Sequence, residues 1–130
     1  MTYKIKRIGG LIIVPVTIMS DKDKLNSFDF ILDTGSTHTI IIPDVIEVLG
    51  YALNKSKPFI ITTGTTDETA WQTNIKKLSV YEIPVFDFGV FIKKLPEKLW
   101  FTHGLLGLDF FEEANINLHI DFKTASLQID

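Results

Sequence analysis

Residues 30–37 of this chain are Phe30-Ile31-Leu32-Asp33-Thr34-Gly35-Ser36-Thr37. This stretch sets one carboxylate at the end of an apolar strand, followed by two hydroxyls around a glycine. An unpaired buried carboxylate is costly, so Asp33 is either a catalytic group or the capped residue of a turn. Thr34 and Ser36 can hydrogen-bond locally, and Gly35 lets the backbone turn sharply or approach another chain closely.

The composition is that of a globular protein and narrows the classes of partner. The chain has 130 residues, of which 45% are hydrophobic, and this is enough for one domain with its own core. A net charge of −3 argues against nucleic acid or an anionic membrane as a partner. The chain has no cysteine, which fits a reducing compartment. We expect a single domain over residues 1–130.

An apolar run from Ile8 to Met19 follows Lys4, Lys6 and Arg7, and this order resembles an export signal. However, β-branched residues dominate the run, and no small-residue cleavage site follows it. We therefore interpret it as a mature β-strand and expect a cytoplasmic protein, with export through an N-terminal signal as the alternative. No other segment approaches the length of a membrane span.

Most of the chain consists of short apolar segments separated by turns, so the predicted fold class is all-β with one or two short helices. A helix is predicted over residues 43–50, because Pro43 suits its first turn and Gly50 its end. Another is predicted over residues 109–114. The predicted strands cover residues 3–8, 11–19, 28–32, 39–42, 58–63, 70–75, 78–81, 85–92, 105–108, 117–122 and 126–129.

A polar-tipped hairpin is predicted in the middle of the chain. Its arms are residues 58–63 and 70–75, and they flank the segment from Gly64 to Thr69. Asp67 and Glu68 make this predicted tip acidic.

The motifs and their order carry a family resemblance. Asp33-Thr34-Gly35-Ser36 follows an apolar strand, and the hairpin, Gly104-Leu105-Leu106-Gly107, a helix and a final strand come after it. Together they resemble the retropepsin-like aspartic proteases, the single-domain relatives of the retroviral proteases. The resemblance runs from about Leu11 to the C-terminus. It implies a closed barrel or sandwich.

The resemblance implies a homodimeric aspartic endopeptidase that acts on extended polypeptides without a cofactor. Such enzymes activate a water between two carboxylates, one ionised as base and one protonated as acid. This chain has one Asp-Thr-Gly motif. The second Asp33 would therefore come from another copy of the chain across a two-fold axis.

Roles for individual residues follow from the same resemblance. Asp33 would be the catalytic carboxylate, hydrogen-bonded by the Gly35 amide and the Ser36 hydroxyl. Thr34 would turn its hydroxyl toward the backbone of the partner chain. The hairpin would be a flap that closes over the substrate and excludes water. Its substrate-binding residues would be Gly64, Thr65 and Thr66.

The resemblance also assigns a packing role to Gly104-Leu105-Leu106-Gly107, which would lie beneath the loop of Asp33. Gly107 is expected to be a glycine because a side chain there would strike the neighbouring loop. Asp109 is expected to cap the helix that follows.

Two alternatives to the enzyme remain open. One is a proteolytically silent relative that uses the same cleft to bind extended peptides. The other is a dimerising structural module in which Asp33 only orders its loop. We expect no metal site, because the spacing of His38, His103 and His119 matches no metal-binding motif.

Overall fold

The structure is a computed structural model that describes residues 1–52, 58–63 and 66–130; at residues 61–63 and 66 only the backbone is described. The helices are α1 (Pro43–Leu49) and α2 (Leu108–Ala114), with a 3-10 turn at Glu97–Leu99. The strands are β1 (Thr2–Lys4), β2 (Lys6–Ile8), β3 (Leu11–Met19), β4 (Leu25–Leu32), β5 (Ile40–Ile41), β6 (Pro58–Thr63), β7 (Thr66–Val80), β8 (Ile83–Ile92), β9 (Gly104–Leu106), β10 (Leu118–Asp121) and β11 (Ser126–Ile129).

The larger sheet closes into a barrel. Its strand order is β2-β3-β4-β9-β5-β8-β7-β6, and β3 also pairs with β7. That additional pairing joins Val16 to Val80 and Ile18 to Leu78. The strands from β3 to β7 therefore form a closed sheet, in which β3 pairs with β7. The predicted all-β fold, a closed barrel with two short helices, is confirmed.

The apolar run near the N-terminus is a strand at the centre of the fold, as predicted. It forms β3, where Val14, Val16 and Ile18 are at most 1% exposed and belong to the main core. Alternation at strand period places these side chains on one face of the sheet. Within the described ranges, no helix has the length and apolar character that a membrane crossing requires.

The first predicted helix is confirmed. Pro43 lies in the first turn of α1, and Gly50 follows its last residue with φ 82°, in the left-handed region that glycine enters at little cost. The Gly50 N–H donates to the Glu47 carbonyl and closes the last turn.

Several strand boundaries differ from the prediction. The predicted strand over residues 3–8 is two strands, β1 and β2, which belong to different sheets, and the predicted strands 39–42, 105–108 and 117–122 are shorter than expected. β4 begins at Leu25, three residues before the predicted start at Phe28. Residues 25–27 were expected to belong to a turn, but they pair with β3, and Leu25 lies opposite Met19.

Residues 70–75 and 78–81 belong to one strand, β7, whose register with β8 continues past Lys76. The Lys76-Lys77 pair resembled a break, but the Lys76 ammonium contacts the Asp21 and Asp23 carboxylates at 3.8 and 3.2 Å. A charged residue can thus occupy the exposed face of a continuous strand.

A smaller sheet brings both ends of the chain together. Its order is β1-β11-β10, with β11 antiparallel to both neighbours. Leu127 and Ile129 of β11 are buried at 1% and 5% exposure, so one face of this sheet packs on the protein.

Candidate active site

Asp33 lies where β4 ends, on the loop that leads to β5. Its N–H donates to the Leu106 carbonyl at 3.0 Å, which extends the parallel pairing of β4 with β9. The side chain is half-buried, and its Oδ1 accepts the Gly35 N–H at 3.1 Å. A main-chain donor therefore orients the carboxylate, and this is the contact that the family resemblance implied for Gly35.

The Ser36 hydroxyl differs from the expectation. It donates to the His38 carbonyl at 2.7 Å instead of bonding to Asp33. A Ser hydroxyl often closes a short local turn in this way, because the carbonyl two residues ahead is close by. Thr34 and Gly35 are exposed, so this part of the loop is available to a second molecule.

Gly107 passes directly beneath this loop. A Cβ there would lie 2.6 Å from the His38 carbonyl carbon and 2.9 Å from the Ser36 carbonyl oxygen. Real Cβ contacts are not that short, so the position requires glycine. The Leu108 N–H donates to the same Ser36 carbonyl at 2.9 Å. The predicted packing of this segment under the Asp33 loop is confirmed.

Thr39 and Asp109 fasten the far end of the loop, and sequence reasoning missed this pair. Asp109 accepts the Thr39 N–H at 2.9 Å on Oδ2 and the Thr39 hydroxyl at 2.7 Å on Oδ1. Thr39 is fully buried, and its Oγ1 accepts the Gly107 N–H at 3.1 Å. The three residues thus join the loop to the start of α2.

The prediction that Asp109 caps α2 is wrong. The N-cap position is Gly107, which has no capping side chain, and Asp109 lies inside the first turn. It accepts the N–H of Phe110 at 2.9 Å, but its other hydrogen bonds go to Thr39. A carboxylate in the first turn still suits the positive end of the helix.

Replacing Thr39 by valine is expected to lower the free energy of unfolding by about 1–3 kcal/mol. The isosteric change leaves the buried Gly107 N–H without its acceptor and removes a donor from Asp109. Urea unfolding measures the change. Thr37→Val, the same substitution at an exposed position of the loop, is the matched control and should alter stability by less than about 0.5 kcal/mol. Equal losses in the two variants would contradict this role for Thr39.

The hairpin exists, with a shorter tip than predicted. β6 and β7 pair from Pro58 opposite Trp71 up to Thr63 opposite Thr66. Of the predicted substrate-binding residues, Gly64 and Thr65 lie outside the described residues, and Thr66 is the first residue of β7. Asp67 and Glu68, expected at the tip, lie within β7. Ladder pairing with β6 continues through them, so a polar stretch that resembled a turn is a strand.

Aromatic contacts connect the Asp33 loop to the hairpin. The His38 ring meets Phe91 of β8 edge-on with centroids 4.6 Å apart, and Phe91 meets Phe59 of β6 at 5.7 Å. Edge-to-face arrangements at these distances are favourable. Glu68 of β7 forms an ion pair with Lys93, just beyond β8. The two aromatic contacts link the Asp33 loop through β8 to β6, and the ion pair links β7 to the end of β8.

Among the described residues, no group of three or more His, Cys, Asp or Glu side chains is placed to hold a metal ion.

Comparison with known proteins identifies the family. The model of the family described as "gag-polyprotein putative aspartyl protease" matches residues 23–113, which is more than half of the chain. The chain belongs to this family. The matched residues include β4, the Asp33 loop, the hairpin, β9 and most of α2. No curated protein matches.

A solved structure has the same fold as this family member. The crystal structure of a retropepsin-like aspartic protease from Rickettsia conorii superposes with a TM-score of 0.68 and 17% sequence identity. The alignment covers 98% of this chain and 86% of that one. The fold of this aspartyl protease family member is therefore retropepsin-like.

Proposed function

We propose that the protein is a homodimeric aspartic endopeptidase whose catalytic groups are the Asp33 carboxylates of two chains. The observation that carries the proposal is the setting of Asp33, which is half-buried at a strand end and oriented by the Gly35 amide. Beside it, Thr34 and Gly35 are exposed and free to face a second copy. Membership of an aspartyl protease family supports the same chemistry.

The two carboxylates would share one proton, since like charges this close do not both ionise. The ionised Asp33 takes a proton from the water as the water oxygen bonds to the scissile carbonyl carbon, and the protonated Asp33 donates its proton to the carbonyl oxygen. In the tetrahedral intermediate the C–N bond then breaks as the Asp33 that took the water proton passes it to the departing amine, and a hydroxyl of the intermediate returns a proton to the other Asp33 to leave the carboxylic acid product. The titration belongs to the pair, so the pH profile reports two values for the dyad.

The substrate would lie extended between the Asp33 loop and the hairpin, pairing with backbone as an added strand. The wall of His38, Phe91 and Phe59 stands between these two elements. Ile60 of β6 is 77% exposed and Phe59 is 40% exposed, so the hairpin arm offers apolar surface to a peptide. An extended polypeptide is therefore the substrate class that we propose.

The test is the dependence of cleavage rate on protein concentration. Because only a dimer contains both carboxylates, the rate against a diverse peptide library should rise with the square of concentration well below the dimer Kd. Above the dimer Kd, the cleavage rate should rise linearly with protein concentration. Sedimentation on the same samples measures the dimer fraction.

A rate that stays linear where sedimentation shows only monomer would remove the second carboxylate and refute the mechanism. Peptide binding without cleavage, at both acid and neutral pH, would establish the silent relative instead. Dimerisation with neither binding nor cleavage would leave the structural module.

A further inference from the structure

Trp100 is the most exposed large hydrophobic side chain in the part of the chain that the structure describes, at 85%. Tryptophan is highly buried on average, because its ring carries a large apolar surface. Ordered backbone nevertheless holds this ring out. The Trp100 N–H donates to the Glu97 carbonyl at 3.1 Å, and the Leu99 N–H donates to the Pro96 carbonyl at 2.9 Å. The exposed ring therefore belongs to a hydrogen-bonded turn.

A groove of about 220 Å³ lies beside the Trp100 ring. Its apolar lining consists of Ile42, Pro43, Leu95, Pro96, Leu99 and Trp100. Pro43 and Lys94 also line a second cavity, of about 360 Å³, together with Trp71 of the hairpin strand β7. Because the two cavities share these residues, they form one continuous groove from the hairpin to Trp100, which we call the Trp100 groove.

The Trp100 groove is joined to the strands that carry Asp33. Thr102 lines it, and the Thr102 hydroxyl contacts the Asp29 and Gly104 carbonyl oxygens at 3.1 and 2.8 Å. Asp29 precedes Asp33 by four residues along β4. Since a strand rises about 3.3 Å per residue, this wall lies about 13 Å from Asp33. A substrate held at Asp33 would reach the groove with about four residues of extended chain.

The charged side chains of the groove favour a basic segment. Asp44 and Glu97 line it together with one lysine, Lys94. Within residues 1–52, 58–63 and 66–130, none of these three forms an ion pair. The neighbouring Lys93 is already paired with Glu68. The two carboxylates are thus available to a Lys or Arg of a bound peptide, and complementary charge of this kind selects partners.

We propose that the Trp100 groove binds the polypeptide substrate at a distance from the scissile bond and selects an apolar side chain next to a Lys or Arg. This rests on the proposed function, because the occupant is the substrate of Asp33. The Trp100 ring supplies the apolar contact, as tryptophan does at the centre of many binding surfaces. Binding energy gained in the groove then helps to hold the reacting part of the substrate at Asp33.

Binding is tested on an array of diverse peptides, each about fifteen residues long so that it can span cleft and groove as an extended strand. The Asp33→Asn protein should prefer sequences in which an apolar residue adjoins Lys or Arg. Adding Trp100→Ala should weaken binding to these sequences at least tenfold. Phe86→Ala is the matched control, because it removes a ring of 63% exposure outside the groove, and it should leave binding unchanged. Equal binding by the two variants would overturn the proposal.

Tryptophan fluorescence reports on the groove directly. The chain has two tryptophans, Trp71 and Trp100, so Trp71→Phe leaves Trp100 as the single reporter. In Asp33→Asn protein with this change, a peptide selected on the array should shift the emission to shorter wavelength, because it removes the ring from water. The same peptide with Glu in place of its Lys or Arg should bind at least tenfold more weakly. Saturable binding that leaves the emission unchanged would contradict an occupied groove.

Cleavage kinetics separate the groove from the cleft. A short peptide that the wild type cuts is compared with the same peptide extended, at either end, by a spacer and a Leu-Lys anchor. Extension at one end should raise kcat/KM at least tenfold for the wild type. Trp100→Ala should lower kcat/KM for the extended peptide at least tenfold more than for the short one. Equal losses on the two peptides would refute a role for Trp100 in distant substrate binding.

The two proposals fail in different ways. Peptide binding that depends on Trp100, with no cleavage of any peptide, would retain the groove and refute the proposed activity. Cleavage that is equally fast for short and extended peptides, and that Trp100→Ala does not alter, would retain the activity and refute the groove.

Discussion

Replacing Asp33 by asparagine is expected to lower kcat/KM for peptide cleavage by about 10³-fold or more. The amide cannot take a proton from water or share one with a second carboxylate. It does keep an oxygen that can accept the Gly35 N–H, so the loop should retain its shape. Steady-state kinetics with sedimentation on the same samples measures both effects. The dimer should persist.

Asp29→Asn is the matched control for this variant. Asp29 lies on the same strand, and its carboxylate pairs with Lys6 at 3.2 Å on the surface, where both side chains are largely exposed. Exposed pairs contribute little to stability, so this variant should keep nearly full activity. Cleavage that survives Asp33→Asn would mean that another residue supplies the carboxylate.

Mixing the variant with wild type tests whether one site needs two chains. A heterodimer contains one carboxylate and should be inactive, so excess Asp33→Asn protein should inhibit the wild type. Activity should fall with the square of the wild-type fraction once the chains have exchanged. A fall in direct proportion to that fraction would indicate that each chain acts alone.

The features predicted correctly were those that the local sequence determines. The β-branched run in β3, the Pro43 and Gly50 boundaries of α1, and the strand that delivers Asp33 each depend on neighbouring residues. The need for glycine at position 107 followed from the family resemblance. Motif order then fixed the fold, because few architectures place these motifs in that sequence.

Two of the differences between prediction and structure share a physical cause, the pairing of residues far apart in the sequence. The bond from Asp109 to Thr39 joins residues 70 positions apart, and no local pattern distinguishes a helix cap from a carboxylate that fastens a distant loop. Exposed polar residues within strands caused the other wrong predictions. Lys76, Asp67 and Glu68 resemble turn residues in sequence, yet ladder pairing and ion pairs hold their segments in β7. Tertiary pairing overrode local propensity in both places.

The position of β9 makes Gly104 the glycine whose substitution should cost most stability. β9 lies between β4 and β5, so its backbone cannot move sideways without breaking one of two ladders. A Cβ at Gly104 would collide with the Ile40 carbonyl oxygen and lie 2.6 Å from a ring carbon of Phe30, which is fully buried. A packed core cannot relax enough to absorb such an overlap.

Gly104→Ala is therefore expected to lower the free energy of unfolding by about 3 kcal/mol or more. Urea unfolding measures this change, with Gly10→Ala as the control. A Cβ at Gly10 meets nothing within 4 Å, so that variant should change stability by less than about 0.5 kcal/mol. If Gly104→Ala unfolds at the wild-type urea concentration, β9 is less tightly enclosed than its neighbours imply. The hydrogen bond from the Asp33 N–H to the Leu106 carbonyl would then also be held less rigidly, because Gly104 and Leu106 belong to the same strand.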